Sequence, residues 1–312
     1  MNNRITEILG TAYPLILGPM RRITLGEMAA AVSASGGFGQ IGASGLSGEK
    51  LQAELKKAKE LTDRPIGVNI PIYRPNAFEA LDIAIEMGVK VVTTSAGNPA
   101  KIIDRIREAG LKVLHKVSTV EMAMKAQSVG VDGVIATGFE AGGHVGREEL
   151  TTLCLVPLLV DALEIPVVAA GGICDARGFL AAMALGAEGV EVGTRFLVTH
   201  ECPAPDFFKQ AILNAEGGAT LRLGKDAMPM RVLRNKKAEE ISDPDKKKED
   251  ARMNKGGDSG YVEGNADTAI MPAGQVAALI RQIKGVSEVF PGMVREGKSL
   301  SLELSRLFTE EE

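Results

Sequence analysis

Short runs of apolar residues alternate along the first two hundred positions with longer amphipathic stretches, each pair filling roughly 20 to 35 residues. The runs predict strands at 15–17, 38–41, 66–68, 89–94, 112–116, 133–136, 167–170 and 189–192. Between them LGEMAAAVSAS, GEKLQAELKKAKEL, AKIIDRIREAG, TVEMAMKAQSVG and ARGFLAAMALG carry apolar positions at three and four spacing, several closed by Gly, which predicts helices. Eight strand-helix units with short, nearly continuous apolar strands predict the α/β class and a closed (β/α)8 TIM barrel. An open flavodoxin-like or Rossmann sheet is the alternative. The run Gly37-Phe38-Gly39-Gln40-Ile41-Gly42 fits G-x-G-x-x-G, but its glycines fall at a helix end and inside a strand, which argues against a dinucleotide fingerprint.

After residue 203 the rhythm breaks. The run KKAEEISDPDKKKEDAR at 236–252 balances six basic against six acidic residues and predicts a solvated helical excursion. MPAGQVAALIRQI then returns to a helical pattern, and the amphipathic SLSLELSRLF follows. The expected organisation is therefore a barrel of residues 1–204 and 271–312 with a C-terminal helix pair. Residues 205–270 form an inserted, partly helical and charged segment after the eighth strand, closing over the barrel mouth.

Composition narrows the function classes. A hydrophobic fraction of 45%, a charged fraction of 24% and 36 Gly exclude a disordered chain, a collagen and a coiled coil, and read as a soluble globular protein. With 36 Lys+Arg against 40 Asp+Glu the net charge is -4, which argues against nucleic acid or an anionic membrane as partner and for a small molecule. Cys154, Cys174 and Cys202 form no C-x-x-C pair and have no clustered His, so no disulfide framework or metal site is expected, and they read as reduced thiols of a cytoplasmic protein. The first residues lack an uninterrupted apolar stretch, and no run of about 18 apolar residues occurs, so no membrane association is expected.

In a (β/α)8 barrel the chemistry is built from the loops that follow the strands. Here the strands run into Gly18-Pro19-Met20, Asn69, Ser95-Ala96-Gly97-Asn98, Lys116, Gly138-Phe139-Glu140-Ala141-Gly142-Gly143-His144-Val145-Gly146, Gly171-Gly172 and Gly193-Thr194. Glycines after the seventh and eighth strands let backbone amides approach a phosphate, and the Thr194 hydroxyl adds a donor, so a phosphate-bearing cofactor is implied. His144, in a glycine-rich loop at the mouth, is placed to move protons near neutral pH. His115 is expected to point outward, opposite to Lys116. Lys116 has two readings, pairing with a carboxylate or stabilising negative charge on a cofactor. Asn69 offers a donor and an acceptor to a heterocycle edge, and Arg21 with Arg22 is either a surface pair or an anion clamp.

Taken together, G-P-M at 18–20, G-V-N at 67–69, A-G-N-P at 96–99, H-K at 115–116, G-F-E-A-G-G-H-V-G at 138–146, A-A-G-G-I at 169–173 and G-T-R-F at 193–196 resemble the nitronate monooxygenase family, formerly 2-nitropropane dioxygenases. That family includes flavin-dependent enoyl-ACP reductases and NAD(P)H:quinone reductases. The similarity runs through about the first 210 residues and resumes at Ala273-Gly274-Gln275. It implies an FMN-binding TIM barrel with cofactor contacts at Gly18, Pro19, Met20, Asn69, Lys116, Gly143, Gly171, Gly172, Gly193, Thr194 and Gln275, with His144 as the catalytic histidine. Arg21 is the candidate substrate contact from its own place just past Met20 and not from the resemblance. Two positions depart from the family's usual pattern: Glu191-Val192 where Gln-Met is common, and Arg21-Arg22 where an apolar or aromatic residue is common. Both bear on substrate class more than on the flavin. The resemblance implies oxidation of alkyl nitronates by oxygen first, and NAD(P)H-dependent reduction of an enoyl thioester or a quinone as alternatives. A homodimer is compatible with this reading, and a non-enzymatic flavin- or ligand-binding barrel ranks last.

Overall fold

The computed structural model describes residues 1–224, 228–242 and 264–308. Eight parallel strands form one sheet: β1 (Leu15–Leu17), β2 (Gly39–Gly42), β3 (Ile66–Pro71), β4 (Val91–Ser95), β5 (Lys112–Val117), β6 (Gly133–Thr137), β8 (Val167–Ala170) and β9 (Gly189–Val192). A two-residue strand, β7 (Gly143–His144), lies in the loop after β6 and belongs to a separate sheet. The order β1-β9-β8-β6-β5-β4-β3-β2 closes on itself, because Leu17 N donates to Phe38 O at 3.0 Å and Phe38 N donates to Leu15 O at 2.8 Å. This is the (β/α)8 barrel that the strand pattern predicts. The fourth strand starts two residues late because Val89 N instead closes the preceding helix on Ala84 O at 2.9 Å.

The helices between strands start and stop on local chemistry. Ser47 and Thr119 accept from the third residue of their helices, Asp175 accepts from Arg177 N and Gly178 N, and Gly130 ends the 120–129 helix in the left-handed region. Their apolar faces and the outward-pointing strand residues make the larger core, between helices and barrel. Inside the barrel a smaller core holds Ile16, Phe38, Val91, Leu114, Ile135 and Val168, all buried. The bottom of that core is stopped by the helix Arg4–Leu9, which buries Ile5 and Leu9 there. Asn3 and Thr6 cap this helix reciprocally, and Gly10 ends it.

Two parts of the C-terminal third differ from the sequence pattern. After the helix Asp206–Leu213, strands β10 (Thr220–Leu223) and β11 (Met230–Leu233) pair antiparallel, and β11 continues onto β7. The excursion therefore carries sheet as well as the helix Lys236–Ser242, while positions 243–252 of the charged run lie outside the described residues. The expected first member of the C-terminal helix pair is only a 3-10 segment, Gln275–Leu279, whose start is tied to the barrel loops through Gly274 N on Thr194 Oγ1 and Gln275 N on Glu140 O. The second member is longer than expected, Val286–Phe308, and packs on the 176–184 and 26–34 helices, with Phe290 edge-on to Phe196. Among the described residues no helix is long and apolar enough to cross a membrane.

Candidate active site

A cavity of about 1060 Å³ opens at the C-terminal end of the barrel strands. Its floor follows from strand alternation. Two residues beyond the apolar interior layer, the same strands turn Gln40, Asn69, Thr93, Lys116, Thr137 and Glu191 inward. These form two connected groups. Asn69 Nδ2 donates to Thr93 Oγ1 at 2.9 Å, Thr93 Oγ1 donates to Gln40 Oε1 at 2.5 Å, and Gln40 Nε2 donates to Leu17 O at 2.7 Å. Across the floor Lys116 Nζ is ion-paired with Glu191 Oε1. Glu191 Oε2 and Thr137 Oγ1 are buried there with no hydrogen-bond partner among the described residues.

One wall is built for close backbone approach. Gly171 and Gly172 follow β8 with φ of 97° and 72°, a conformation that a side chain resists. A Cβ on Gly193, after β9, would project into open space, so any side chain there would enter the cavity. The amides of Gly172 and Gly193 find no carbonyl partner among the described residues. A concave set of such amides suits an anion such as a phosphate. Thr194 stands beside them, its oxygen accepting from Gly274 N at 2.9 Å, which leaves its hydroxyl proton available to donate to a ligand. Next to Gly193, since β1 neighbours β9 in the barrel, Thr24 Oγ1 accepts from Met20 N at 3.1 Å and fixes the Gly18-Pro19-Met20 turn.

The wall with His144 is assembled from distant segments. Antiparallel pairing puts His144 opposite Met230 and Gly143 opposite Arg231, and Val145 N donates to Pro229 O at 3.0 Å. Arg231 is buried, donates through Nε to Phe139 O at 3.0 Å and lies over the Phe139 ring at 4.6 Å. The loop base is locked as well, since Glu140 accepts from Thr152 N and Thr152 Oγ1. His144 is exposed to the cavity, and its ring is partly desolvated by the cavity walls; that desolvation, and secondarily the Arg74 charge, lowers its pKa from the ordinary histidine value.

Of the residues expected at the site, Gly18, Pro19, Met20, Arg21, Asn69, Lys116, Gly143, His144, Gly171, Gly172, Gly193 and Thr194 all line this one cavity. Gln275 does not: it is exposed, and its neighbours Gly274 and Val276 face the cavity instead. His115 points outward as expected, buried with Nδ1 2.7 Å from Thr94 Oγ1, and burial pushes its pKa down to about 4. Sequence reasoning missed Arg74, Glu140 and the pairing of Glu191. Only Glu191 carried a usable signal, a carboxylate inside the otherwise apolar strand Gly189–Val192, which demands a cationic partner.

Residues 2–296 match the family model described as nitronate monooxygenase. The chain belongs to the nitronate monooxygenase family. It is 37% identical over 257 residues to a probable nitronate monooxygenase of Staphylococcus saprophyticus, covering 68% of this chain and 72% of that protein. It is 36% identical over 235 residues to a (3aS,4S,5R,7aS)-5-hydroxy-7a-methyl-1-oxo-octahydro-1H-indene-4-carboxyl-CoA dehydrogenase of Rhodococcus jostii, covering 75% of this chain and 66% of that one. Among solved structures, FabK from Thermotoga maritima superposes with a TM-score of 0.93 at 36% identity, over 99% of this chain and 100% of the other. A nitroalkane oxidase from Streptomyces ansochromogenes superposes with a TM-score of 0.84 at 26% identity, over 97% and 100%. As a nitronate monooxygenase family member the protein is an oxidoreductase enzyme of small molecules.

Proposed function

We propose that this family member binds FMN in the barrel-mouth cavity and oxidises alkyl nitronates, and their parent nitroalkanes, with oxygen. The cavity reaches the upper end of the range for single-ligand pockets, about 300–1,000 Å³, so a cofactor and a substrate fit together. The residues present suit FMN. Amides of Gly172 and Gly193 with the Thr194 hydroxyl would hold its phosphate, and the polar floor of Asn69, Lys116 and Glu191 would meet its ring. The bound flavin would supply the electron acceptor that is reoxidised by oxygen.

The observation that carries the substrate reading is the place of His144 in the cavity wall, beside an Arg74 guanidinium whose charge disfavours the imidazolium. A neutral imidazole accepts the proton from the carbon beside a nitro group. Arg74 and Arg21 would then face the negative charge that this leaves on the nitro oxygens. Proton removal and anion stabilisation are the two things that the step asks of the protein. A second reading, NAD(P)H-dependent reduction of an enoyl thioester, is supported by the relative named for a carboxyl-CoA substrate and by the end-to-end match to FabK.

One anaerobic experiment separates them. The FMN-loaded protein is mixed in turn with propyl nitronate, NADH and NADPH while the flavin absorbance is followed. Bleaching by the nitronate alone, with nitrite released on admitting air, is the expected result. Bleaching by a nicotinamide followed by reoxidation with crotonyl thioester replaces the first reading by the second. His144→Ala should slow turnover of neutral nitroalkane about 100- to 10,000-fold while leaving the preformed nitronate much less affected. Gly193→Val, which fills the phosphate approach, should lower FMN occupancy sharply, and a fully yellow, stable variant would move the phosphate elsewhere.

A further inference from the structure

The Lys116–Glu191 pair is an unusual thing to find at the base of a cavity. Both residues line it, both are inward-facing members of barrel strands, and Glu191 is only 5% exposed. Burial of a carboxylate is tolerable only with a partner and with its remaining lone pairs satisfied. Oε1 has Lys116. Oε2 has no partner among the described residues, and it sits at the floor of the space that the preceding reading fills with a cofactor. An orphaned acceptor in that place asks for a donor from whatever lies on the floor. In the charge balance of the floor itself, Asn69, Thr93, Gln40 and Thr137 are neutral, so Lys116 and Glu191 decide the field that a ring above them meets.

We propose that Glu191 is a cofactor-binding, potential-setting residue: its Oε1 neutralises Lys116 and its Oε2 accepts a ring N–H of bound FMN. The inference rests on the reading of the cavity as an FMN site. A free ammonium under the ring would stabilise the negative charge that reduction places there, because Coulomb interactions at a buried floor are poorly screened. With Glu191 paired to it, that stabilisation is largely cancelled and the flavin stays the stronger reductant. The carboxylate also gives Lys116 a fixed position, so the two act as one unit instead of as a cation with an incidental neighbour.

The test is a comparison of reduction midpoints, measured spectroelectrochemically on FMN-loaded protein, with FMN dissociation constants measured alongside. Glu191→Gln keeps the shape, removes the charge and leaves Lys116 uncompensated. It should shift the two-electron equilibrium toward reduced flavin by at least tenfold, about 30 mV upward, and weaken FMN binding. The double variant Lys116→Met with Glu191→Gln removes both charges and should return to within about threefold of the wild-type equilibrium, because the floor is again without net charge; such non-additivity is what a contacting pair shows. If Glu191→Gln does not fold, Glu191→Ala carries the same test: its midpoint should rise and added formate should lower it again. Glu191 variants that load FMN and share the wild-type midpoint and affinity overturn the proposal while leaving the FMN reading intact. A wild-type protein that takes up no FMN overturns that reading, and this inference with it.

Discussion

The barrel interior has two storeys built from the same strands. In the lower one Phe38, Val91, Leu114 and Ile135 point inward and are at most 3% exposed. Two residues further along each strand, the inward positions are Gln40, Thr93, Lys116 and Thr137. Nothing in the backbone distinguishes the two levels, since pleat and register continue through both. The side chains do. The lower storey is apolar, plugged by Ile5 and Leu9 and stabilised by burial, whereas the upper one is polar and retains atoms at Thr137 and Glu191 that have no partner among the described residues. Stability and chemistry are thus separated by one step of strand alternation, and a substitution at either level should report on one and spare the other.

The sharpest way to break this division is Phe38→Ala. Phe38 fills the lower interior, and Gly67 makes room for its ring, since a Cβ there would overlap it. Truncation should destabilise the fold by about 3–5 kcal/mol, read by urea unfolding at constant m-value. The FMN affinity of the still-folded protein should change less than tenfold. A variant with native stability and lost cofactor would mean that the two storeys are not separate.

A second, smaller effect compares polar groups facing in and facing out. His115 and Thr94 sit on the outer face of β5 and β4, buried and satisfied by each other. Because burial lowers the folded-state pKa of His115 to about 4 from the ordinary histidine value of 6.5, the unfolded chain binds more protons between those values. Stability should therefore fall as pH drops below about 6.5, with roughly 2 kcal/mol lost at pH 5 and the loss saturating below about 4. His115→Asn should flatten that dependence in unfolding titrations at pH 7.5 and pH 5. An unchanged slope would place the proton uptake at another group.

What was legible in the sequence follows the same division. Strands show themselves through continuous apolar runs, so all eight barrel strands and the glycines after them were readable, and with them the strand-end part of the cavity lining. The support of His144 was not. A two-residue Gly-His strand has no period to detect, and its partner Met230 lies 86 positions away in a segment whose charge pattern suggests only a solvated helix. Likewise the short helix Arg4–Leu9 that plugs the barrel is too brief for a helical repeat to announce, and it is fixed by burial of Ile5 and Leu9. Glu191 and Lys116 stand 75 residues apart, and only closure of the barrel brings them together. Gln275 is the reverse case: a local motif resembled the family's, while in the fold Gly274 and Val276 line the cavity and Gln275 is exposed beside them.

The smallest expected effect concerns the rim, where the polar storey meets solvent. Arg74 lines the cavity, stacks on Tyr73 at 4.8 Å and contributes, after enclosure, to the lowered pKa of His144. Removing its charge should raise the His144 pKa, because the imidazolium would lose a repulsive neighbour. The protonated, inactive form of the base would then appear at higher pH. In Arg74→Leu the acidic limb of kcat/KM for neutral nitroalkane should accordingly move to higher pH, while the plateau above it falls little. An anionic substrate meets the same guanidinium directly, so its KM should rise about two- to fivefold with kcat nearly unchanged, the size of a solvent-screened charge contact. The two readouts fall on different substrates for a physical reason. The neutral molecule needs the base that Arg74 tunes, and the anion needs only the charge. A pH limb that stays in place, with an unchanged KM for nitronate, would remove Arg74 from the site and leave His144 governed by enclosure alone.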